Sequence, residues 1–270
     1  MNSVYDLSSL IRHVETNYSN SDVSASKRFL YRGQTFDHPR CDCFYARITD
    51  TVDVRQISTV NRWSKQSLRG LNWTSLEDHD ALAILQHYGW PTPSLDLTGT
   101  LEVALFFALE GKPLADLGVV PSVLFVVDTE AIKKNHPELK IVDHSFLVFD
   151  IDATGTLVRW LRQDGYAIIP IVWFDNQAMK TLDLKAPGLT DAVTVLTFHP
   201  SSADLRGLEY MRSYLLSIVG DPIPSRLQAN LQAFCNATFG EEFPLSLRLR
   251  QLIENIVGWP VWANRFTPWE

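Results

Sequence analysis

The stretch from Gln86 to Ala108, QHYGWPTPSLDLTGTLEVALFFA, brings His87, Tyr88, Asp96, Thr98 and Thr100 to the start of an apolar run. Polar groups delivered to the mouth of a buried helix are a common way to build a small-ligand site. Upstream, the apolar triplet Phe29-Leu30-Tyr31 runs into Arg32-Gly33-Gln34. A guanidinium on a strand end presents a planar fork of donors that suits phosphate, and a glycine beside it lets backbone approach closely. Hydroxyls at 98 and 100 can bond a sugar or an amide, and a tyrosine ring can stack on a flat heterocycle.

The elements that must position these residues follow from periodicity. Leu7, Leu10, Ile11 and Val14 recur at helical spacing, and residues 18 to 27 are Ser-rich and read as a loop. Phe29-Leu30-Tyr31 is a short strand ending at Arg32-Gly33. Helices are expected over 53 to 70 and Leu82 to Tyr88, the second started by the acids of Glu77-Asp78-His79-Asp80. Gly89 and Pro91-Thr92-Pro93 break it. Ser94 to Leu97 is extended, and Thr98-Gly99-Thr100 can cap a helix over Leu101 to Leu109. Strands are expected at Val123–Val127, at Ala167–Val172, where Pro170 suggests an edge or bulge, and at Val193–Phe198. Leu205, Leu208, Met211, Leu215 and Ile218 mark a further helix, a turn follows at 220 to 227, and 245 to 257 is another helix. No internal repeat or low-complexity tract appears.

Composition bounds the classes. The chain has 270 residues, 46% hydrophobic and 20% charged, enough to bury a sizeable core. Its net charge of -7 disfavours broad nucleic-acid binding, although a local basic groove remains compatible with it. Three cysteines, Cys41, Cys43 and Cys235, suit a reduced, cytoplasmic protein. Cys41-Asp42-Cys43 is too tight for an easy disulfide and is at most a weak metal motif. Acids in the first eighteen residues speak against a secretory signal, and no apolar run of about 18 residues suggests a membrane span. No GxGxxG, Walker, HExxH, CxxC or GxSxG pattern occurs, and a Cys–His pair of Cys41 or Cys43 with His87 has no local signature behind it.

The combination of Tyr31-Arg32-Gly33-Gln34, Leu85-Gln86-His87-Tyr88-Gly89-Trp90-Pro91-Thr92, Leu95-Asp96-Leu97-Thr98 and Ala104-Leu105-Phe106-Phe107-Ala108 resembles the FRG domain, named for its Phe-Arg-Gly signature. That family carries a QHYG-PT-LLD-T-ALFFA run and a later Gln-x-Gly, matched here by Gln163-Asp164-Gly165. The resemblance covers about residues 25 to 200. Tyr31 replaces the usual Phe, Pro93-Ser94 an Arg-Leu pair, and Leu97 a common Trp; if that Arg binds ligand in relatives, the contact is lost or relocated here. A second resemblance is to ADP-ribosyltransferases of the Arg-Ser-Glu class. These have a strand ending in Tyr-Arg, a strand ending in Ser-Thr-Ser before an AxxFA helix, and a strand preceded by a catalytic Glu. Tyr31-Arg32 is similar to the first, Thr98-Gly99-Thr100 with Val103 to Ala108 to the second, and Gln163 to Pro170 to the third. The Glu has no clean counterpart. Gln163, Asp164 or Tyr166 would occupy its region, and only Asp164 is acidic.

The second resemblance implies NAD as substrate. Arg32 would pair with pyrophosphate, with Tyr31, Gly33 and Gln34 beside it. Thr98 and Thr100 would hold the nicotinamide ribose or amide, with His87 nearby. Tyr88 or Tyr166 would stack on the ring, and Asp164 or Asp96 would stabilise the oxocarbenium-like centre as nicotinamide leaves. Structural readings stand beside these. Arg32 can form an ion pair, with Asp96 as a buried partner. Gly33 and Gly165 can serve turns, His87 can bond a backbone carbonyl, Thr98 and Thr100 can be helix caps, and Phe106 and Phe107 are core residues.

The expected fold is α+β, a split, mostly antiparallel sheet with flanking helices of the ADP-ribosyltransferase type. Residues 1–200 form the FRG-like domain with its N-terminal helix, and residues 201–270 a helical element packed on it. The expected function is a cytoplasmic, NAD-dependent mono-ADP-ribosyltransferase-like enzyme, such as a toxin or defence effector, acting on a macromolecular acceptor. The alternative is a catalytically inactive FRG module that binds a ligand or partner. A nucleic-acid-processing factor fits the acidic charge less well. A catalytic acid near Arg32 favours the enzyme, and an apolar or Gln-lined pocket favours the binder. Arg32, His87, Asp96, Thr98 and Gln163 are expected to converge on one pocket.

Overall fold

The computed structural model describes residues 4–20, 27–43, 92, 94–144, 149–151, 155–157, 164–170 and 182–205. In chain order its elements are β1 (Val4–Tyr5), α1 (Leu7–Asn17), β2 (Phe29–Gln34), β3 (Leu95–Thr98), α2 (Leu101–Leu109), β4 (Ser122–Asp128), α3 (Thr129–Asn135), β5 (Leu139–Asp143), β6 (Phe149–Ile151), β7 (Gly155–Leu157), β8 (Gly165–Pro170) and β9 (Val193–Phe198). Asp6 starts α1 because its carboxylate accepts from the Ser9 amide at 2.7 Å, satisfying one of the orphan donors of the first turn. α2 is apolar nearly all round, which marks a helix buried on most sides.

Seven strands form one sheet in the order β1-β9-β4-β2-β3-β8-β5, with β6 and β7 as a separate ribbon. Every neighbouring pair in the large sheet is antiparallel except β1 and β9. The α+β class and the mostly antiparallel sheet are therefore as expected. The split is not seen as two sheets; it is reduced to a splay between two strands. β2 is in register with β4 along its whole length, from Phe29↔Asp128 to Gln34↔Val123, whereas its register with β3 is the single pair Tyr31↔Thr98.

Side-chain alternation gives the sheet two different faces. One carries Tyr31, Leu124, Val126, Leu196 and Phe198 and is covered by Leu10 and Val14 of α1 and by Ala104, Leu105, Ala108 and Leu109 of α2. The other carries Leu30, Leu95, Leu97, Val123, Phe125, Val127, Tyr166 and Ile168, with Ile132 of α3 and Leu182, Leu184 and Leu189 packed on it.

Several boundaries differ from expectation. β2 continues through Arg32 and Gly33 to Gln34. β8 starts at Gly165 and is an inner strand, paired with β3 on one side and β5 on the other, so Pro170 does not mark an edge. Pro170 is the strand's final residue, paired with Leu139, where the donor that proline lacks is least missed. α3 and β5 were not anticipated. α3 is started by the Asp128 carboxylate, which accepts from the amides of Glu130 and Ala131 at 3.0 and 3.1 Å. The helices expected over 53 to 70 and 82 to 88, and nearly all of the C-terminal helical element, lie outside the described residues.

Candidate functional site

β2 positions Arg32 and Gln34 on the same face, across from Phe125 and Val123 of β4. Both of those partners are fully buried, so the two polar side chains stand at the border of an apolar core. The splay between β2 and β3 leaves the Asp96 carbonyl without a ladder partner from β2, and Arg32 Nη1 donates to it at 2.7 Å. This spends one donor of the guanidinium on holding two strands together. Arg32 Nε and Gln34 Oε1 are both buried and have no hydrogen-bond partner. A buried donor or acceptor left unpaired costs about 1–3 kcal/mol, so two such atoms on one short stretch of strand mark a place that another group can satisfy.

A second polar cluster forms where β3 turns into α2. The Lys27 ammonium pairs with the Asp164 carboxylate, and Thr100 Oγ1 donates to the same carboxylate oxygen at 3.2 Å. The Gly99 amide donates to the Asp164 carbonyl at 2.9 Å, and Thr98 Oγ1 accepts from the Thr100 amide at 3.1 Å. Asp164 adopts φ of 47°, the left-handed region that Asp tolerates better than most residues, and its three contacts hold it there. A Cβ at Gly99 would press on the Asp164 carboxylate and the end of the Lys27 side chain, so a larger residue there would displace this pair. Thr100 occupies the N-cap position of α2, yet its hydroxyl goes to Asp164 and not to a helix amide. The capping role is thus redirected into tying β3, α2 and β8 together.

The expectation of one convergent pocket is overturned by register. Tyr31 pairs with Thr98, so these two share a face, and Arg32, the next residue, points to the other. The Asp96 side chain is exposed on the Thr98 face, and Arg32 bonds its backbone carbonyl, so Asp96 is not a buried ion-pair partner. Tyr31 lies in the core under α1, with its hydroxyl donated to the Tyr18 carbonyl at 2.6 Å. Burial, with a smaller contribution from Glu102, pushes its phenol up to about 12. Gly33 faces α2: a Cβ there would fall onto the Ala104 carbonyl oxygen and lie 2.6 Å from the Ala108 amide nitrogen. The Arg-Gly signature therefore joins two unlike tasks, a polar side chain on one face and a bare backbone for helix packing on the other. Tyr166 shares the Arg32 face, across β3 from it, through the pair Leu97↔Tyr166. Gln163, His87 and Tyr88 lie outside the described residues.

Two lysines were missed by the sequence reading. Lys27 was placed at the end of a Ser-rich loop, and only the fold brings it to Asp164. Lys112 is 6% exposed, donates to the Thr35 carbonyl at 2.7 Å and lies over the Phe36 ring. Burial pulls its ammonium below the ordinary lysine range. It fastens the chain just after Gln34 to the loop that follows α2. A cation three residues beyond the last helical residue, Leu109, was the available signal.

The arrangement thus offers a donor and an acceptor on one face and a cation–carboxylate–hydroxyl cluster at the helix mouth, both carried by the segment from Lys27 to Leu109 and by the start of β8. No curated protein and no solved structure matches the chain at a significant level. The family model described as FRG domain matches residues 27–116, beginning at Lys27 and taking in β2, β3 and all of α2. The match ends well before Gln163-Asp164-Gly165, so that later motif stands outside the matched span. That span is one third of the chain, and it is this part that is similar to FRG domains.

Proposed function

We propose that this FRG-like domain handles NAD as an ADP-ribosyltransferase-like enzyme, transferring ADP-ribose to a macromolecular acceptor. The observation that carries the reading is topological. The Arg32 strand, the Thr98-Gly99-Thr100 strand with its AxxFA-like helix and the Asp164-Gly165 strand are three consecutive strands of the sheet, β2, β3 and β8. These are the three segments that resemble the Arg-Ser-Glu pattern, and nothing in their sequence separation requires them to be neighbours. From strand geometry, with a rise of about 3.3 Å per residue and about 4.8 Å between strands, Arg32 and Asp164 have Cα atoms roughly 12 Å apart. One ribose cannot touch both, but a two-ended ligand such as a dinucleotide can. In this reading Arg32 takes one end of NAD and Asp164 stabilises the positive charge that develops as nicotinamide leaves, with Thr100 orienting its carboxylate.

A second reading, a ligand-binding module without turnover, is favoured by two contacts. The Asp164 carboxylate is already engaged by Lys27 and Thr100, and the Asp96 carboxylate lies on the face away from Arg32. The deciding experiment incubates the protein with labelled NAD and protein, DNA and RNA acceptors. The enzyme reading expects label transfer or nicotinamide release. It also expects Asp164→Asn to lower turnover at least about a hundredfold with NAD affinity retained, as when an interaction is made mainly in the transition state. NAD that raises the melting temperature but is never consumed makes the module reading correct.

A further inference from the structure

We propose that Arg32 and Gln34 form a carboxamide-reading site. Arg32 Nε–H would donate to the amide oxygen of a ligand, and Gln34 Oε1 would accept from its NH2 group. Three observations lead there. Arg32 Nε and Gln34 Oε1 are both buried and both lack a partner, one being a donor and the other an acceptor. They sit two residues apart on β2 and so point to the same side of the sheet, with Cα atoms about 6.6 Å apart. Their apolar cross-strand neighbours, Phe125 and Val123, offer no competing polar group.

The pairing of types selects the ligand. A phosphate or carboxylate presents only acceptors and would set a lone pair against Gln34 Oε1. An ammonium presents only donors and would face the guanidinium. A primary amide presents one acceptor and donors side by side on a flat group, the complement of what β2 holds out. With Arg32 Nη1 committed to the Asp96 carbonyl, Nε is the guanidinium donor left unpaired beside Gln34. In this proposal Arg32 reads an uncharged group in place of the phosphate that the sequence suggested.

The choice of NAD as the natural carrier of this amide rests on the function proposed above; the amide preference does not. The test measures thermal shift and affinity with two matched pairs: nicotinamide against nicotinate, and NAD against its dinucleotide analogue with nicotinate in place of nicotinamide. Gln34→Met keeps the side-chain length and removes the acceptor, leaving the Arg32–Asp96 bond in place. The wild type is expected to bind each amide at least about tenfold more tightly than its acid, a discrimination that one well-placed buried hydrogen bond supplies. In Gln34→Met that preference should shrink to within about twofold, with the unfolding midpoint unchanged. Equal affinity for amide and acid, a preference for the acid, or a preference that survives in Gln34→Met overturns the proposal. If nicotinamide shifts the protein with the expected preference while NAD does not, the amide site stands and the NAD reading fails. If none of the four compounds binds, the amide site is wrong, and the two buried atoms are served by a bound water.

Discussion

The two faces of β2 differ in how completely they are satisfied. On one face Tyr31 is buried with its hydroxyl on the Tyr18 carbonyl, and Gly33 gives its missing side chain to the backbone of α2. The Tyr31 hydroxyl, the polar side-chain group of β2 on that face, has a protein partner. On the other face, one residue further along, Arg32 and Gln34 leave a buried donor and a buried acceptor unmatched. A strand that alternates between a finished surface and an unfinished one separates stability from function at a period of two residues. Substitutions on the finished face should cost folding, and substitutions on the unfinished face should cost binding.

The largest effect is expected at Gly33. A methyl group there cannot be accommodated by a side-chain shift, because the atoms it meets are the backbone of α2 at Ala104 and Ala108. The helix must lift from the sheet or β2 must bend, and overpacking against rigid backbone costs upward of about 3 kcal/mol. Denaturant unfolding of Gly33→Ala should show a much lower midpoint or no cooperative transition at all. A midpoint near that of the wild type would mean that α2 does not rest on β2 in this way, and the contrast between faces would lose its foundation.

Tyr31→Phe should have a smaller effect on the same face. It removes the bond to the Tyr18 carbonyl and little volume, so about 1–2 kcal/mol is expected. The substitution restores the Phe of the FRG signature, so the fold should persist. The pH dependence gives a sharper reading. The phenol is raised to about 12 in the folded protein, against about 10 for a tyrosine in water. A raised pKa means that the folded state favours the protonated form. The contribution is therefore full below about pH 10 and is lost as pH rises toward 12. Stability measured across that window should fall more steeply in the wild type than in Tyr31→Phe. Parallel curves would show that Tyr31 is not the group that titrates.

Much of this contrast was out of reach of the sequence, for a physical reason. The elements themselves were legible where composition forces them. Leu101–Leu109 is too apolar to be anything but a buried helix, and Val123–Val127 and Val193–Phe198 are β-branched runs of strand length. α3 was missed because TEAIKKN offers few apolar positions, and its cap at Asp128 is its clearest signal. β5 was missed because LKIVD is short and only Val142 in it is buried. The site was half legible. Arg32, Thr100 and Asp164 could be named from motif order, but which of them share a face depends on whether Tyr31 pairs with Thr98 or with its neighbour. A one-residue slip would invert the answer. That register is fixed by packing between segments far apart in the chain, which a reading of local pattern does not contain. Lys27 escaped notice for the same reason: its partner is 137 residues away.

The smallest effect on stability, and the most telling, is expected from Gln34→Leu. On the face with Tyr31 and Gly33, removing a polar group or adding a methyl breaks something already paired or packed. At Gln34 the buried acceptor has no partner to lose, and its cross-strand neighbour is the fully buried Val123. Replacing an unsatisfied polar group by an apolar one of similar size removes a desolvation cost without removing a bond. Leu is shorter and branched, which offsets part of that gain through packing. The unfolding free energy should change by no more than about 0.5 kcal/mol, the scale of a change that breaks no specific feature. Ligand-induced stabilisation should fall sharply in the same variant, since the acceptor that faces the ligand is gone. A loss of stability like that of Tyr31→Phe would mean that Gln34 is already engaged in the free protein, and the two faces of β2 would be equally finished. Unchanged stability together with a lost ligand shift would fix the difference between them on a single side chain, on the strand that also carries Gly33.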